Sequence, residues 1–382
     1  MNIYKIKDIV SFQNGFAFNS KDMGPTGTNI IKIKEVKNNK ITITESTQKI
    51  SNYDYDSMKK YLVNYNDILI ALTGDPTNKG SEESWVGRTA IYREKECALL
   101  NQRMCKIIPN TKYILPKYLY YYLISYPTLY TLASSAKGSA NQANISHKDV
   151  GELDIALPSI EMQQHIVDTV GSLDNKIENN NKIIERLIIW KANNYKNTLS
   201  NIPCQEYNLL DMVDFIGGTQ PPKSEHIYDY KQGYIRFIQN RDYSSENHLT
   251  YIKESTKNKL CNEYDIMMDK YGEAGKVRFG ISGAYNVALA KIDPKNKVYQ
   301  EWIREFLNTQ EIQQYLFNSS IASTRASVSE NNLMNIKIPV PSKDYIAKFE
   351  EKHKIVIEFI LKLKQENKQL EKLKKLYLSY YF

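Results

Sequence analysis

ISHKDVGELDIALPS, residues 145–159, returns 183 residues later as VSENNLMNIKIPVPS, residues 328–342. Ser146, Ile155, Pro158 and Ser159 reappear as Ser329, Ile338, Pro341 and Ser342, with aliphatic exchanges between them. An echo at a fixed period is the mark of a duplicated unit, so further echoes should follow in the same order along the chain. Three do. YKIKDIVSFQNG at 4–15 matches YNLLDMVDFIGG at 207–218, sharing Tyr4/Tyr207, Asp8/Asp211, Val10/Val213, Phe12/Phe215 and Gly15/Gly218. NDILIALTG at 66–74 matches YDIMMDKYG at 264–272, and NQRMCKIIP at 101–109 matches NVALAKIDP at 286–294. The offset shrinks from 203 to 183, so the second copy is 20 residues shorter. Asn101 follows Gly74 by 27 positions and Asn286 follows Gly272 by 14, so one connection accounts for most of the loss. Loops accept such changes and scaffolds do not. The chain reads as one scaffold used twice, with different loops.

At 382 residues, with 42% hydrophobic and 11% aromatic side chains, there is enough apolar material for two cores. No uncharged apolar run approaches the roughly 18 residues of a membrane span, and MNIYKIKDIV lacks the apolar core of a leader. Cys97, Cys105, Cys204 and Cys261 are not closely spaced, as expected of reduced thiols. These features predict a cytoplasmic protein. The net charge of +8 is compatible with a polyanionic partner without requiring one.

From 1 to 158, short β-like runs (IIKIKEV, ITITES, DILIAL, TAIYRE, RMCKIIP) alternate with turn residues, and one helical stretch follows at 115–133. The region 201–341 repeats the order, ending in a helical stretch at 301–317. Both are α+β globules. After each proline-terminated strand comes a long helix, within 159–200 and 342–382. Ile166, Val170, Leu173, Ile177, Ile184 and Leu187 follow 3-4 spacing in the first, with Asn180 on the seam. Phe349, Val356, Ile360, Leu363 and Leu370 do so in the second, with His353 and Asn367 on the seam. Such spacing argues for coiled-coil-like pairing, and the simplest partner for each helix is the other. About 39 residues give roughly 58 Å of helix, more than one globule of this size can cover. The first helix is electrically neutral, whereas residues 343–382 carry ten lysines and six acids. A solvated face and a surface for nucleic acid or an acidic partner both fit that excess.

Catalytic and metal motifs are missing. The five histidines and four cysteines offer no CxxC or HxxxH, so no metal is expected. GDPTNKGS at 74–81 has the wrong order for a phosphate loop, and GEAGKV at 272–277 lacks its earlier glycine and its final hydroxyl. QPPK at 220–223 lacks both ends of the Asn/Asp-Pro-Pro-aromatic tetrad of amino-methyltransferases, and GISGA at 280–284 misses a nucleophile elbow by one position. The chain is therefore expected to bind rather than to catalyse.

The loops that differ between copies are the natural binding elements. Lys270, Tyr271, Lys276 and Arg278 surround Gly272 and Gly275, and small glycines let backbone approach a surface closely. The first copy has Lys79 and Arg88 flanking its longer loop. A second polar connection, KGSANQANIS at 137–146 and SIASTRASVS at 320–329, contributes Lys137, Asn141 and Gln142 in one copy and Thr324 and Arg325 in the other. Such cations, amides and aromatics suit phosphate and base-edge contacts, although each is also at home on a solvated surface.

At this point the sequence resembles the specificity subunits of type I restriction-modification systems. The resemblance rests on the Asp67-Ile68 and Asp265-Ile266 strands leading into glycine loops, the Ser…I-x-x-P strand exits, and LPSIEMQQHIV at 157–167 opening a long helix. It covers nearly the whole chain. It implies two target recognition domains, 1–158 and 201–341, each reading half of a split double-stranded DNA site and joined by two long antiparallel helices, 159–200 and 342–382. It further implies that two methyltransferase subunits carrying S-adenosylmethionine dock near those helices, through residues such as Glu161, Gln163, Gln164 and Ile166. A restriction subunit would join for cleavage. This chain would hold no cofactor and perform no catalysis, and unlike loops would make the site asymmetric. The second junction, VPSKDYIAKFEEKHKI, departs from the pattern by lacking the character of Glu161 to Gln164. The competing reading is a coiled-coil scaffold whose globules bind protein.

Overall fold

The computed structural model describes residues 2–382 except 52, 139–141, 247 and 322–326. Packing divides the chain into two units, Met1–Ile177 with Gln369–Phe382, and Glu178–Lys368. The first unit is built on β1 (Asn2–Lys5), β2 (Val10–Asn14), β3 (Ile68–Ala71), β4 (Thr89–Ile91), β5 (Met104–Pro109), α1 (Pro116–Ile124), α2 (Tyr126–Ser135) and β6 (Asp154–Leu157). The helix α3 (Ile160–Asn201) begins in this unit and ends in the second. There follow β7 (Gln205–Asn208), β8 (Val213–Gly217), β9 (Ile266–Asp269), β10 (Val277–Arg278), β11 (Leu289–Pro294), α4 (Gln300–Leu307), α5 (Gln310–Ile321), β12 (Lys337–Val340) and α6 (Lys343–Tyr381). The main sheet has six strands in the first unit and four in the second, each unit adds a second sheet, of five and four strands respectively, and both are α+β.

The two copies share a hydrogen-bonding frame, residue for residue. The repeated exit strand pairs antiparallel with the opening strand of its own unit, Tyr4 opposite Ile155 on β1 and β6, Tyr207 opposite Ile338 on β7 and β12. Just beyond, Ile6 N–H donates to Leu153 O at 3.0 Å and Leu209 N–H to Ile336 O at 2.9 Å. In the main sheet Ile107 lies between Phe12 and Ile68, and Ile292 between Phe215 and Ile266. β3 and β9 are buried along their length, so they read as the apolar runs ILIA and IMM rather than as alternation, the second ending at the buried Asp269. The repeated glycines mark a close backbone approach. A Cβ on Gly15 would lie 2.0 Å from Asn101 O, and one on Gly218 would lie 2.1 Å from Asn286 O. The repeated serines cap a turn, Ser146 Oγ donating to Asp149 and Ser329 Oγ to Asn332.

Each helical stretch expected as one piece is two. Pro127 has no N–H to donate and its ring clashes with a continuing helix, so the chain extends at Ser125 between α1 and α2. In the second unit Asn308 ends α4, and Thr309 accepts the Gln313 N–H as α5 begins. These helices cover the sheets. Tyr118 and Leu119 of α1 and Trp302 and Ile303 of α4 sit at the centres of the two cores, where full burial of one large aliphatic side chain contributes about 2–3 kcal/mol. Tyr118 Oη donates to Ala156 O and Trp302 Nε1 to Pro339 O, so unlike aromatic residues tie down equivalent positions of β6 and β12.

Within each unit the start of one long helix packs beside the end of the other. Val170 and Leu378 share the first core, and Ile184 packs with Ile360 and Leu363 in the second unit. The seam asparagines expected from the heptads meet: Asn180 Nδ2 donates to Asn367 Oδ1 at 2.9 Å, and Asn367 Nδ2 donates to Asn181 Oδ1. A buried Asn pair of this kind fixes register at some expense of stability. Among the described residues no helix is long and apolar enough to cross a membrane.

Candidate nucleic-acid interface

The glycine loop and the second polar connection lie about 70 residues apart in sequence in the first copy, yet in each unit they are hydrogen-bonded neighbours. Ile145 N–H donates to Leu72 O at 3.0 Å, and at the equivalent place Val328 N–H donates to Lys270 O at 2.9 Å. One rung further out Thr73 stands opposite Asn144, and Tyr271 opposite Ser327. The return strand is tied back in each unit, Asn144 N–H donating to Lys137 O in the first and Ser327 N–H to Ser320 O, near the end of α5, in the second. Asn141, Thr324 and Arg325 lie outside the described residues. Lys137 is exposed and Gln142 half-buried.

The loops themselves depart from a common frame. Gly87 N–H donates to Ala71 O and Gly275 N–H to Asp269 O, each glycine with positive φ where its loop rejoins the sheet. Twelve residues lie between Gly74 and Gly87 but only two between Gly272 and Gly275, so most of the length difference falls there. The short loop is clamped by clearance, since a Cβ on Gly275 would lie 2.7 Å from Leu316 Cβ. The long loop is clamped by an aromatic anchor, Trp85 packing on Tyr126 and Tyr130 of α2.

The cations chosen from the sequence divide into two groups. Arg278 donates to the buried Asp269 at 2.8 Å and to Glu273. Burial works against its charge, but Asp269 and Glu273 outweigh burial and hold the guanidinium above its ordinary value. Arg88 is turned inward, donating to the carbonyls of Glu83 and Val36, and burial pulls it below its ordinary value. Both hold their loops in shape through these contacts. Lys276 is exposed and paired with Glu273 at 2.6 Å, Lys79 is exposed on its loop, and Lys270 lies 5.9 Å from the exposed ring of Tyr271. Lys79, Lys137 and Lys276 are exposed beside the loops, and Lys270 is half-buried there.

The residues singled out at the first helix junction also divide into two groups. Glu161 is exposed, its carboxyl held below the usual range by its own N–H and the Ser159 hydroxyl. Gln164 is also exposed and donates to Asp168. Gln163 and Ile166 point inward instead. Gln163 Oε1 accepts the Leu115 N–H at 2.9 Å while its Nε2 donates to Tyr113 O and Pro158 O, which ties the entrance of α1 to α3. Ile166 belongs to the first core. In the second unit Glu350 takes the place of Gln163, accepting the N–H groups of Glu301 and Trp302 in the first turn of α4. The sequence hides this substitution because the anchor has moved further along the helix.

Beside each junction lies a cleft. In the first unit it measures about 540 Å³, with Ile68, Ile107 and Val167 among its apolar walls and Gln164, Arg93 and Lys117 at polar positions. The equivalent cleft of the second unit is about 290 Å³ and is lined by Glu350, Glu351 and Lys354, Lys354 standing where the first unit has Gly171.

Three residues escaped the sequence reading: Asp269, which fixes Arg278; Glu350; and Asn144, whose Oδ1 accepts the Thr73 hydroxyl at 2.8 Å. A hydrophobic pattern does not reveal pairings of this kind.

The sequence matches the family described as type I restriction modification DNA specificity domain over residues 1–188 and again over 201–376. A Methanocaldococcus jannaschii protein assigned as the type I restriction enzyme MjaX specificity subunit is 25% identical over 403 residues, spanning 98% of this chain and 90% of that one. The Escherichia coli type I restriction enzyme EcoBI specificity subunit is 23% identical over 391 residues, spanning 91% and 76%. A similar fold occurs in the crystal structure of a type I restriction-modification system S subunit from M. genitalium, with TM-score 0.58, 15% identity, and 100% and 96% of the two chains covered. With both copies matched across nearly its whole length, the chain belongs to the type I restriction-modification DNA specificity family.

Proposed function

We propose that this specificity subunit, the non-catalytic DNA-recognising component of its system, reads a bipartite, asymmetric double-stranded DNA site. Residues 1–158 read one half and residues 201–341 the other. The observation that carries the reading is the shared backbone frame bearing unlike loops: Gly74 to Gly87 and Gly272 to Gly275 leave and rejoin the sheet through the same hydrogen bonds but differ in length and charge. A frame kept twice beneath two different surfaces is what two readers of different half-sites require. Lys79, Lys137, Lys270 and Lys276 supply phosphate contacts, and Gln142, Tyr271 and the unlike loop tips supply base contacts. Asn141, Thr324 and Arg325 remain in the proposal on the sequence alone.

Residues 159–200 and 342–382 act as spacers. A helix of 42 residues is about 63 Å long, against the 34–36 Å of one turn of DNA, so its length sets the gap between half-sites. Two methyltransferase subunits, carrying S-adenosylmethionine, dock on these helices, and a restriction subunit joins them for cleavage. Exposed Glu161 and Gln164 support docking at the first junction, and the run Ile188, Ile189 and Trp190 supports docking further along α3, since contiguous exposed apolar side chains mark interaction surfaces. Long-read sequencing of methylated adenine, in hosts with and without this gene and with the partner methyltransferase in both, tests the reading. Loss of a split, asymmetric motif on deletion is the expected result. An unchanged methylation pattern would overturn it in favour of the protein scaffold.

A further inference from the structure

The rung where the glycine loop meets the return strand is antiparallel in both units and chemically different. In the first it is Thr73 opposite Asn144, in the second Tyr271 opposite Ser327. Backbone bonds one step behind it, Ile145 to Leu72 and Val328 to Lys270, fix its position in both. The exposed long side chain sits on opposite strands: Asn144 on the return strand of the first unit, Tyr271 on the loop strand of the second.

Asn144 is held through both its backbone and its side chain. Its backbone N–H and C=O close the hairpin with Lys137, and its Oδ1 accepts the hydroxyl of the buried Thr73, which fixes the plane of the carboxamide. Its Nδ2 has no hydrogen-bond partner among the described residues and lies on an exposed residue, so two N–H donors face outward from a rigid position. The hairpin bond also makes the exposed Lys137 its immediate cross-strand neighbour. A cation for a phosphate beside an oriented donor for a base edge is the minimal unit of direct readout. From this we infer that Asn144 is a specificity-determining residue for the first half-site. It donates to an acceptor in the major groove, a purine N7 or the O6 of guanine or O4 of thymine, and Thr73 is its positioning residue. Ser327, half-buried at the equivalent place, has no such reach.

The inference rests on the bipartite reading, and one experiment separates the two. Wild-type, Asn144→Ala, Asn144→Asp, Thr73→Val and Ser327→Ala chains are each expressed with the partner methyltransferase, and methylated motifs are read by long-read sequencing. In Asn144→Ala, methylation of sites carrying a different base at one position of one half-site should rise about tenfold or more, the other half-site being unchanged. The isosteric Asn144→Asp, which replaces donors by acceptors, should change the preferred base at that same position. Thr73→Val should relax it less, and Ser327→Ala should leave the first half-site untouched. A wild-type motif retained in both Asn144 variants would overturn the assignment, as would relaxation in both half-sites. Absence of any split motif from the wild type would overturn the functional reading itself.

Discussion

The two copies keep their backbone-to-backbone bonds and exchange almost everything that anchors side chains. Tyr4–Ile155 and Tyr207–Ile338, or Gly15 and Gly218, are the same solution used twice. The attachment of helix to globule is not. In the first unit Asp174 of α3 accepts from Lys374 at 2.6 Å and from Tyr121, at a site open to solvent on one side. In the second, Lys191 of α3 is buried with Glu301 at 2.8 Å and Glu305 at 2.9 Å, and Arg304 completes the cluster. Burial opposes the charge of Glu301, but Arg304 and Lys191 outweigh it and hold the carboxyl below the usual range; at Glu305 burial wins and pushes it up. Sheet geometry has few solutions, whereas a helix can be attached by any complementary pair, so duplication preserves the first and rewrites the second.

The sharpest test of that contrast is to remove one lysine from each attachment. Lys191→Met strands two buried carboxylates with one arginine, and removing one partner of a buried ion pair costs about 3–5 kcal/mol. Lys374→Met leaves Asp174 with Tyr121 and partial solvation, an expected loss of about 1 kcal/mol. Hydrogen exchange of the amides of α4 and α1 reads the two units separately. Equal losses would erase the distinction between a buried and an open attachment.

The shared frame makes the opposite prediction. Gly15→Ala and Gly218→Ala place a Cβ against a carbonyl oxygen at nearly the same distance, so each should lose about 3 kcal/mol by overpacking, and by the same amount in both copies. Urea unfolding of the two variants measures this. A difference above about 1 kcal/mol would mean that the frames share register without sharing tightness.

What the sequence disclosed follows the same line. The duplicated strands, the exit ribbon and the seam asparagines were legible because they depend on periodicity and on residues that recur. The breaks at Ser125 and Asn308 were not foreseen. One follows from Pro127, present in the sequence but outweighed there by the apolar pattern, and the other from local capping. The candidate site was legible only as composition. Lys79, Lys137 and Lys276 are exposed beside the loops and Lys270 is half-buried there, but Arg88, Arg278, Gln163 and Ile166 are held by Glu83, Asp269, Tyr113 and the first core. A basic or polar residue type announces what it can bind, and only the fold shows whether something has already bound it.

The smallest effect lies where Gln163 and Glu350 perform one task with different chemistry. Gln163 does not titrate. Burial pushes the Glu350 carboxyl up to about 7 although it accepts two N–H groups of α4. Because this folded-state value exceeds the unfolded one, the folded protein holds the proton more tightly, and Glu350 favours folding most at acid pH. That contribution is lost as pH rises from about 4.5 through 7. His353, buried beside Asn194 and close to Lys191, is driven down to about 3 by burial first, so its contribution runs the other way and is lost as pH falls below about 6.5. Glu350→Gln removes only the first of these opposed slopes. The amide keeps only one acceptor for the two N–H groups, so the variant should be the less stable near pH 4.5, and the difference between the two proteins should move by about 1–2 kcal/mol in the variant's favour by pH 8. Denaturant unfolding at pH 4.5, 6 and 8 gives the comparison. Parallel curves for the two proteins would show that the carboxyl titrates alike in both states and that the second unit anchors α4, as the first anchors α1, without regard to pH.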